Sequence, residues 1–151
     1  MTWQTKSISS EATEKLGERL GAALKGGEVI ELSSDLGGGK TTFVRGLVRG
    51  AGSQDKVTSP TFTISKIYKT DKFEIHHFDF YRLQEAGILS DELSEVIGNP
   101  SVVTVIEWAD VVKHILPWKI LSINFTQTPE GERELTFTCQ NDLEYLLEAI
   151  K

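Results

Sequence analysis

Cysteine is nearly absent from this chain: Cys139 is the only one in 151 residues. A single thiol excludes an intramolecular disulfide and a thiolate zinc cluster, and the expected address is the reducing cytoplasm. Long apolar runs are missing as well. None approaches the ~20 residues needed to cross a bilayer, and the opening MTWQTKSISSEATEKL has no apolar stretch before its charges, which argues against a secretory signal. No membrane association is expected. Positive charge is short too: 16 Lys and Arg against 22 Asp and Glu leave a net charge of −6 and a pI near 5.1. Phosphate contacts supply most non-specific nucleic-acid affinity, so a small acidic chain is a poor stand-alone binder. Any nucleic acid in its function is expected to be held by a partner. Histidine numbers three. The adjacent pair His76-His77 has no cysteine near it, and neighbouring strand positions face opposite ways, so a zinc site is not expected.

What remains has 39% hydrophobic and 25% charged residues. That balance is globular in kind. The length allows roughly two-thirds of the unfolded surface to be buried. No repeat, low-complexity tract or long linker divides the chain, and residues 1–151 read as one domain. Leu16, Leu20, Ala23 and Leu24 form a helical stripe over residues 10–25. Ser9 or Ser10 is its cap and Gly26-Gly27 its stop. EVIELSS, residues 28–34, is a short apolar strand that runs into glycines 37–39. Residues 40–50 resume as a helix with Phe43, Val44, Leu47 and Val48 on one face.

Beyond a connector at 51–60, TFTISKIY and KFEIHHFDF alternate as paired strands about Lys69–Lys72. A polar helical stretch follows at 84–97 and stops at Gly98-Asn99-Pro100. SVVTVIEW is a β-branched run suited to a strand buried on both faces. One or two helical turns are expected at 109–116. KILSINFTQ and RELTFTC form a hairpin, and NDLEYLLEAIK a last helix, with Asn141 as cap and Glu144 three residues on. The expected class is α/β, with a mixed, mainly parallel central sheet flanked by helices and with hairpins in the second half.

The main chemical signal is Ser34-Asp35-Leu36-Gly37-Gly38-Gly39-Lys40-Thr41-Thr42. Gly39, Lys40 and Thr41 match the phosphate-loop pattern G-x-x-x-x-G-K-[ST], with Ser34 in place of the first glycine. Backbone N–H groups from Leu36 to Gly39 would cradle phosphate oxygens, and the following helix aims its positive end at the same place. Lys40 reaches the β- and γ-phosphates, the Thr41 hydroxyl ligates Mg²⁺, and Thr42 donates to the α-phosphate. If the Ser34 position required positive φ, a non-glycine residue there would cost on the order of 1–2 kcal/mol.

Such a loop needs a second Mg²⁺ contact and a group that orients water. Glu107, closing the run Val102–Ile106, suits the metal. Asp79 alternates with Phe78 and Phe80, so its side chain faces away from theirs. Two readings stand for it: a solvated edge, or an acid in the nucleotide site. Trp108 reads more readily as packing. Thr58-Ser59-Pro60-Thr61 either satisfies a turn or orders itself on the γ-phosphate and Mg²⁺.

Taken together, GGGKTTFVRGL, VTSPTFTI, HHFDFYRL and VIEWAD, in this order and spacing, resemble the bacterial TsaE family, also called YjeE. The resemblance spans nearly the whole chain and implies a P-loop fold, ATP and Mg²⁺ as cofactors, and slow ATP hydrolysis. It further implies a role in making N6-threonylcarbamoyladenosine in tRNA, with TsaD and TsaB as protein partners and tRNA engaged only through them. By position, Lys40, Thr41 and Thr42 match phosphate-binding residues, Glu107 the second Mg²⁺ contact, and Asp79 an acid needed for hydrolysis. Ser59, Pro60 and Thr61 match a switch-like loop, and Trp108 a tryptophan beside the nucleotide. Ser9 and Thr13 match an early element near the base, and Arg133 a late basic residue at the site. A small-molecule kinase is the alternative, although no arginine-rich lid segment stands out. A binding module switched by nucleotide occupancy is a third reading.

Overall fold

The strand that runs into the glycine loop and the β-branched run lie side by side. β2 (Val29–Ser33) and β5 (Val102–Glu107) pair in parallel, with Ile30 opposite Val105 and Leu32 opposite Glu107. All six residues of β5 are buried, as a strand covered on both faces requires. The computed structural model describes residues 1–34, 39–58, 65–81 and 87–151. Among these, seven strands form one sheet in the order β1-β7-β6-β2-β5-β4-β3. β1 is Thr2–Ser7, β3 Ser65–Lys69, β4 Glu74–Asp79, β6 Leu121–Gln127 and β7 Arg133–Thr138. The central four strands, β6-β2-β5-β4, run parallel. The flanking pairs β1–β7, β6–β7 and β3–β4 are antiparallel. Both expected hairpins are therefore present, one at each side of the parallel centre.

β1 is a strand that the periodicity did not mark. TWQTKS has one large apolar residue, Trp3, and its strand character comes from pairing along its whole length with β7, Thr2 opposite Thr138 through Ser7 opposite Arg133. Trp3 packs against Phe137 with ring centroids 5.5 Å apart, while Gln4 donates to the Thr136 hydroxyl on the outer side.

α1 (Ser10–Ala23), α2 (Lys40–Gly50) and α4 (Glu144–Ile150) cover one face, closing a core of Ile30, Leu32, Phe43, Leu47, Val105 and Ile123, among others. α3 (Ile88–Val96) and a 3₁₀ segment (Ala109–Ile115) cover the other, over Val29, Phe78, Phe80 and Ile106. α4 starts from a 3₁₀ turn at Asn141–Leu143 whose cap position is Gln140, so Asn141 opens that turn rather than capping the helix.

α1 and α2 touch backbone to backbone. A Cβ on Gly46 would lie 1.9 Å from the Glu14 carbonyl oxygen, and one on Gly17 2.1 Å from that of Phe43. The close crossing is reinforced by Arg49, whose guanidinium reaches Glu14 at 2.7 Å and Glu18 at 3.2 Å. These contacts hold α2, and with it Lys40, against the carboxyl end of the sheet.

Candidate functional site

The site begins at the N-terminus of α2. Gly39 is its cap residue, at φ 97° and ψ 10°, and its carbonyl accepts the Phe43 N–H at 3.0 Å. A positive φ suits glycine. A second constraint acts here: a Cβ on Gly39 would lie 2.7 Å from Arg133 Nε. Arg133, the first residue of β7, thus lays its guanidinium over the glycine that opens α2. Ser34, the residue in place of a loop glycine, carries no left-handed cost, because Trp108 is the only described non-glycine residue with positive φ. The remaining loop residues expected to hold phosphate, Leu36, Gly37 and Gly38, lie outside the described residues, as do Ser59, Pro60 and Thr61.

Lys40 is buried, and its ammonium points to the end of β5. Nζ is 3.7 Å from Glu107 Oε1, 3.5 Å from the Ser34 carbonyl oxygen and 4.6 Å from the centre of the Trp108 ring. Each contact leaves room for a stronger one, since the ion pair is longer than a charge-assisted hydrogen bond. Thr41 and Thr42 follow in the first turn of α2, half-buried.

Glu107 ends β5 and is itself buried. Its other oxygen, Oε2, is 2.7 Å from His77 Nε2. Asp79 ends β4 directly opposite Glu107 in the parallel register. Of the two readings open for Asp79, a solvated edge does not match the structure, since Asp79 is only 4% exposed. Phe78 and Phe80 point to the opposite face, where their rings stack 6.0 Å apart. One Asp79 oxygen accepts the Tyr81 N–H at 2.9 Å, which fixes the chain as it leaves the strand.

Trp108 sits at φ 58° and ψ 53°, a left-handed conformation. For an indole-bearing residue this costs on the order of 1–2 kcal/mol. The turn brings its ring within 5.0 Å of Tyr81 and under the Lys40 ammonium, a cation–π arrangement. Packing and placement at the site are therefore not alternatives for this residue.

Ser9 and Thr13 lie further out. The Ser9 hydroxyl caps α1 by accepting the Ala12 N–H, and the buried Thr13 hydroxyl is 2.7 Å from that of Ser7 and donates to the Ser9 carbonyl. They connect to the site through the register, since Ser7 stands opposite Arg133. Among the described residues, Ser7 and His77 are buried polar side chains here to which the sequence assigned no role, although His77 lies within the HHFDFYRL motif. For His77 the signal was its parity, two positions before Asp79 on the same strand.

The arrangement is thus a lysine at a helix N-terminus, two carboxylates at the ends of adjacent parallel strands, and an arginine over the loop glycine. Crevices at the carboxyl ends of parallel strands are where α/β sheets bind ligands. The donor set is oxygen-rich and anionic beside a concentrated positive charge, which suits a hard divalent cation together with phosphate. Among the described residues, no helix is long and apolar enough to cross a membrane.

Comparison with known proteins agrees. The family model described as "Threonylcarbamoyl adenosine biosynthesis protein TsaE" matches residues 7–135. The tRNA threonylcarbamoyladenosine biosynthesis protein TsaE of Bacillus subtilis is 35% identical over 139 residues, covering 91% of this chain and 85% of its own length. That of Treponema pallidum is 35% identical over 130 residues, covering 86% and 96%. The crystal structure of YdiB from Bacillus subtilis superposes with a TM-score of 0.82 at 32% identity, over 99% of this chain and 94% of that one. A phosphate-loop signature, a mixed sheet parallel at its centre and matches along most of the chain lead to one conclusion: this chain belongs to the TsaE family, with its P-loop fold.

Proposed function

We propose that this protein is a Mg²⁺-dependent ATPase that serves tRNA N6-threonylcarbamoyladenosine biosynthesis as an accessory to TsaD and TsaB in the cytoplasm. The observation that carries the reading is the buried Lys40 ammonium 3.7 Å from Glu107, at the point where α2 begins and β5 ends. Family membership supplies the pathway. The acidic net charge of −6 fits a protein that leaves the tRNA to its partners.

In this reading Lys40 and the amides that open α2 bind the β- and γ-phosphates, and Arg133 adds positive charge from β7. Thr41 and Glu107 are the residues that would hold Mg²⁺. The cation would neutralise charge developing on the phosphate oxygens. Asp79, beside Glu107 and fixed by the Tyr81 N–H, orients the attacking water or takes its proton. Trp108 walls the site and keeps the lysine dry, which strengthens its attraction for phosphate.

Calorimetric titration with ATP and GTP, with and without Mg²⁺ and then with TsaD and TsaB added, tests this reading. ATP binding that tightens with Mg²⁺, and turnover that responds to the partners, are expected. Asp79→Asn should bind ATP like wild type and hydrolyse it more slowly by about 10²-fold or more. Equal turnover in that variant would remove Asp79 from the mechanism. Transfer of labelled phosphate to a metabolite instead of water would replace the ATPase with a kinase.

A further inference from the structure

His77 is wholly enclosed, with no exposed surface, yet it is not an apolar core residue. It sits on β4 two positions before Asp79, opposite Val105, on the sheet face that carries Glu107. Its Nε2 lies 2.7 Å from Glu107 Oε2, whereas Lys40 approaches the other oxygen, Oε1. An ionised carboxylate only accepts, so Nε2 carries the proton and donates. Nδ1 is buried and has no hydrogen-bond partner among the described residues. Among them, the ring therefore makes one directional bond, to Glu107.

We infer that His77 is a positioning residue for the cation site. By holding Oε2 it fixes the rotation of the Glu107 carboxylate and presents Oε1 towards the α2 N-terminus, where a divalent cation bound with nucleotide would sit. This inference rests on the proposed function. The physical reason is general: ligating carboxylates need a partner of their own to hold their orientation, and losing such a partner typically costs about 10- to 100-fold in metal affinity. The buried imidazole provides that partner at the depth of the core, where water cannot. The same bond would also stabilise the fold, so the test must separate the two roles.

The side-chain amide nitrogen of glutamine reaches the place of Nε2, and that of asparagine reaches only the place of Nδ1. His77→Gln and His77→Asn therefore disturb the core to a similar degree but differ in whether Glu107 keeps its donor. The measurement is Mn²⁺ affinity of the full chain loaded with a non-hydrolysable ATP analogue, read by electron paramagnetic resonance. Metal-free affinity for the same analogue is measured by calorimetry. His77→Asn should weaken Mn²⁺ binding by about tenfold or more, His77→Gln should stay near wild type, and metal-free nucleotide affinity should be unchanged in both. Equal Mn²⁺ affinity in the two variants, or a loss of nucleotide affinity that is the same with and without metal, would overturn the inference while leaving the ATPase reading intact. Wild-type protein that binds the analogue but gains nothing from Mn²⁺ would overturn both.

Discussion

The Lys40–Glu107 pair has a consequence for stability that can be measured without nucleotide. Both side chains are more than nine-tenths enclosed, at 8% and 5% exposure, so solvent screens them little. At their separation of 3.7 Å, Coulomb's law with an effective dielectric near 20 gives about 4.5 kcal/mol of attraction. Part of that survives the loss of either partner. Lys40 keeps the Ser34 carbonyl and the face of Trp108, and Glu107 keeps His77. Lys40→Met leaves a buried carboxylate with only the His77 imidazole as partner, and Glu107→Gln leaves a buried ammonium with weak partners. Each is expected to cost about 2–4 kcal/mol, somewhat below the usual range for breaking a buried pair. The double variant removes both charges, so its cost should fall short of the sum by about 1.5–3 kcal/mol. Urea unfolding at neutral pH, with the four proteins compared at a common slope, measures this. Additivity within about 0.5 kcal/mol would mean that the charges do not interact across the gap. The site would then not be organised around the lysine.

Three further outcomes follow from other parts of the molecule. Gly46→Ala must push α1 and α2 apart, because its Cβ would meet the Glu14 carbonyl at 1.9 Å. A loss of about 2–3 kcal/mol, read from the urea midpoint, is expected, despite about 1 kcal/mol of gained helix propensity; a neutral or stabilising effect would refute the backbone contact. Burial, and then the hydrogen bond to Glu28 at 2.5 Å, raise the Tyr145 phenol above its ordinary range. The folded state therefore keeps this proton after the unfolded chain releases it near pH 10, so stability from this group is complete below about pH 10 and declines as pH rises beyond it. Tyr145→Phe should flatten that alkaline decline in urea midpoints taken from about pH 8 upwards, and an unchanged profile would refute the assignment. Burial likewise raises the Cys139 thiol, so it should resist a disulfide exchange reagent in the native protein and react at once in urea; rapid native labelling would show the β7 end to be open.

Elements that rest on local pattern were legible in the sequence. Among the described residues, β2, α2, β5 and the strand pairs β3–β4 and β6–β7 each carry their own periodicity, and each is where the pattern put it. β1 was not legible, because Thr2–Ser7 has little apolar content and becomes a strand only by pairing with β7, at the other end of the chain. The placement of β6 beside β2, parallel to it, was equally hidden, since a hairpin read from sequence does not say which central strand it joins. Nor does a stripe of leucines reveal that the glycines of α1 and α2 set the crossing distance. At the site, Lys40 and Glu107 were identifiable as candidates from local pattern, a lysine that opens a helix and an acid that closes an apolar strand, whereas the pattern left two readings open for Asp79 and only the resemblance favoured the one at the site. The mutual geometry of the three was not legible, since it depends on the β4–β5 register that sets Asp79 opposite Glu107. His77 was noted within the HHFDFYRL motif but given no role of its own, because an adjacent histidine pair invites a question about zinc, whereas the informative fact was the parity it shares with Asp79.

Two buried carboxylates separate the structural from the functional use of charge in this fold. Glu28, immediately before β2, accepts the Lys25 and Gly26 N–H groups at 2.7 and 2.8 Å and the Tyr145 hydroxyl at 2.5 Å. Those bonds tie the end of α1 to α4, and backbone groups that would otherwise lack acceptors are satisfied. The Glu107 carboxylate, at the far end of the neighbouring strand, receives only side chains among the described residues: an imidazole, and an ammonium that stops short of hydrogen-bond distance. Among those residues it closes no turn and caps no helix. Apolar residues in place of both Glu107 and Lys40 would spare the cost of burying the two charges. A charge pair that is costly to bury, gathered where the parallel strands end and α2 begins, fits the proposed role in binding phosphate and a cation better than a role in holding the fold together.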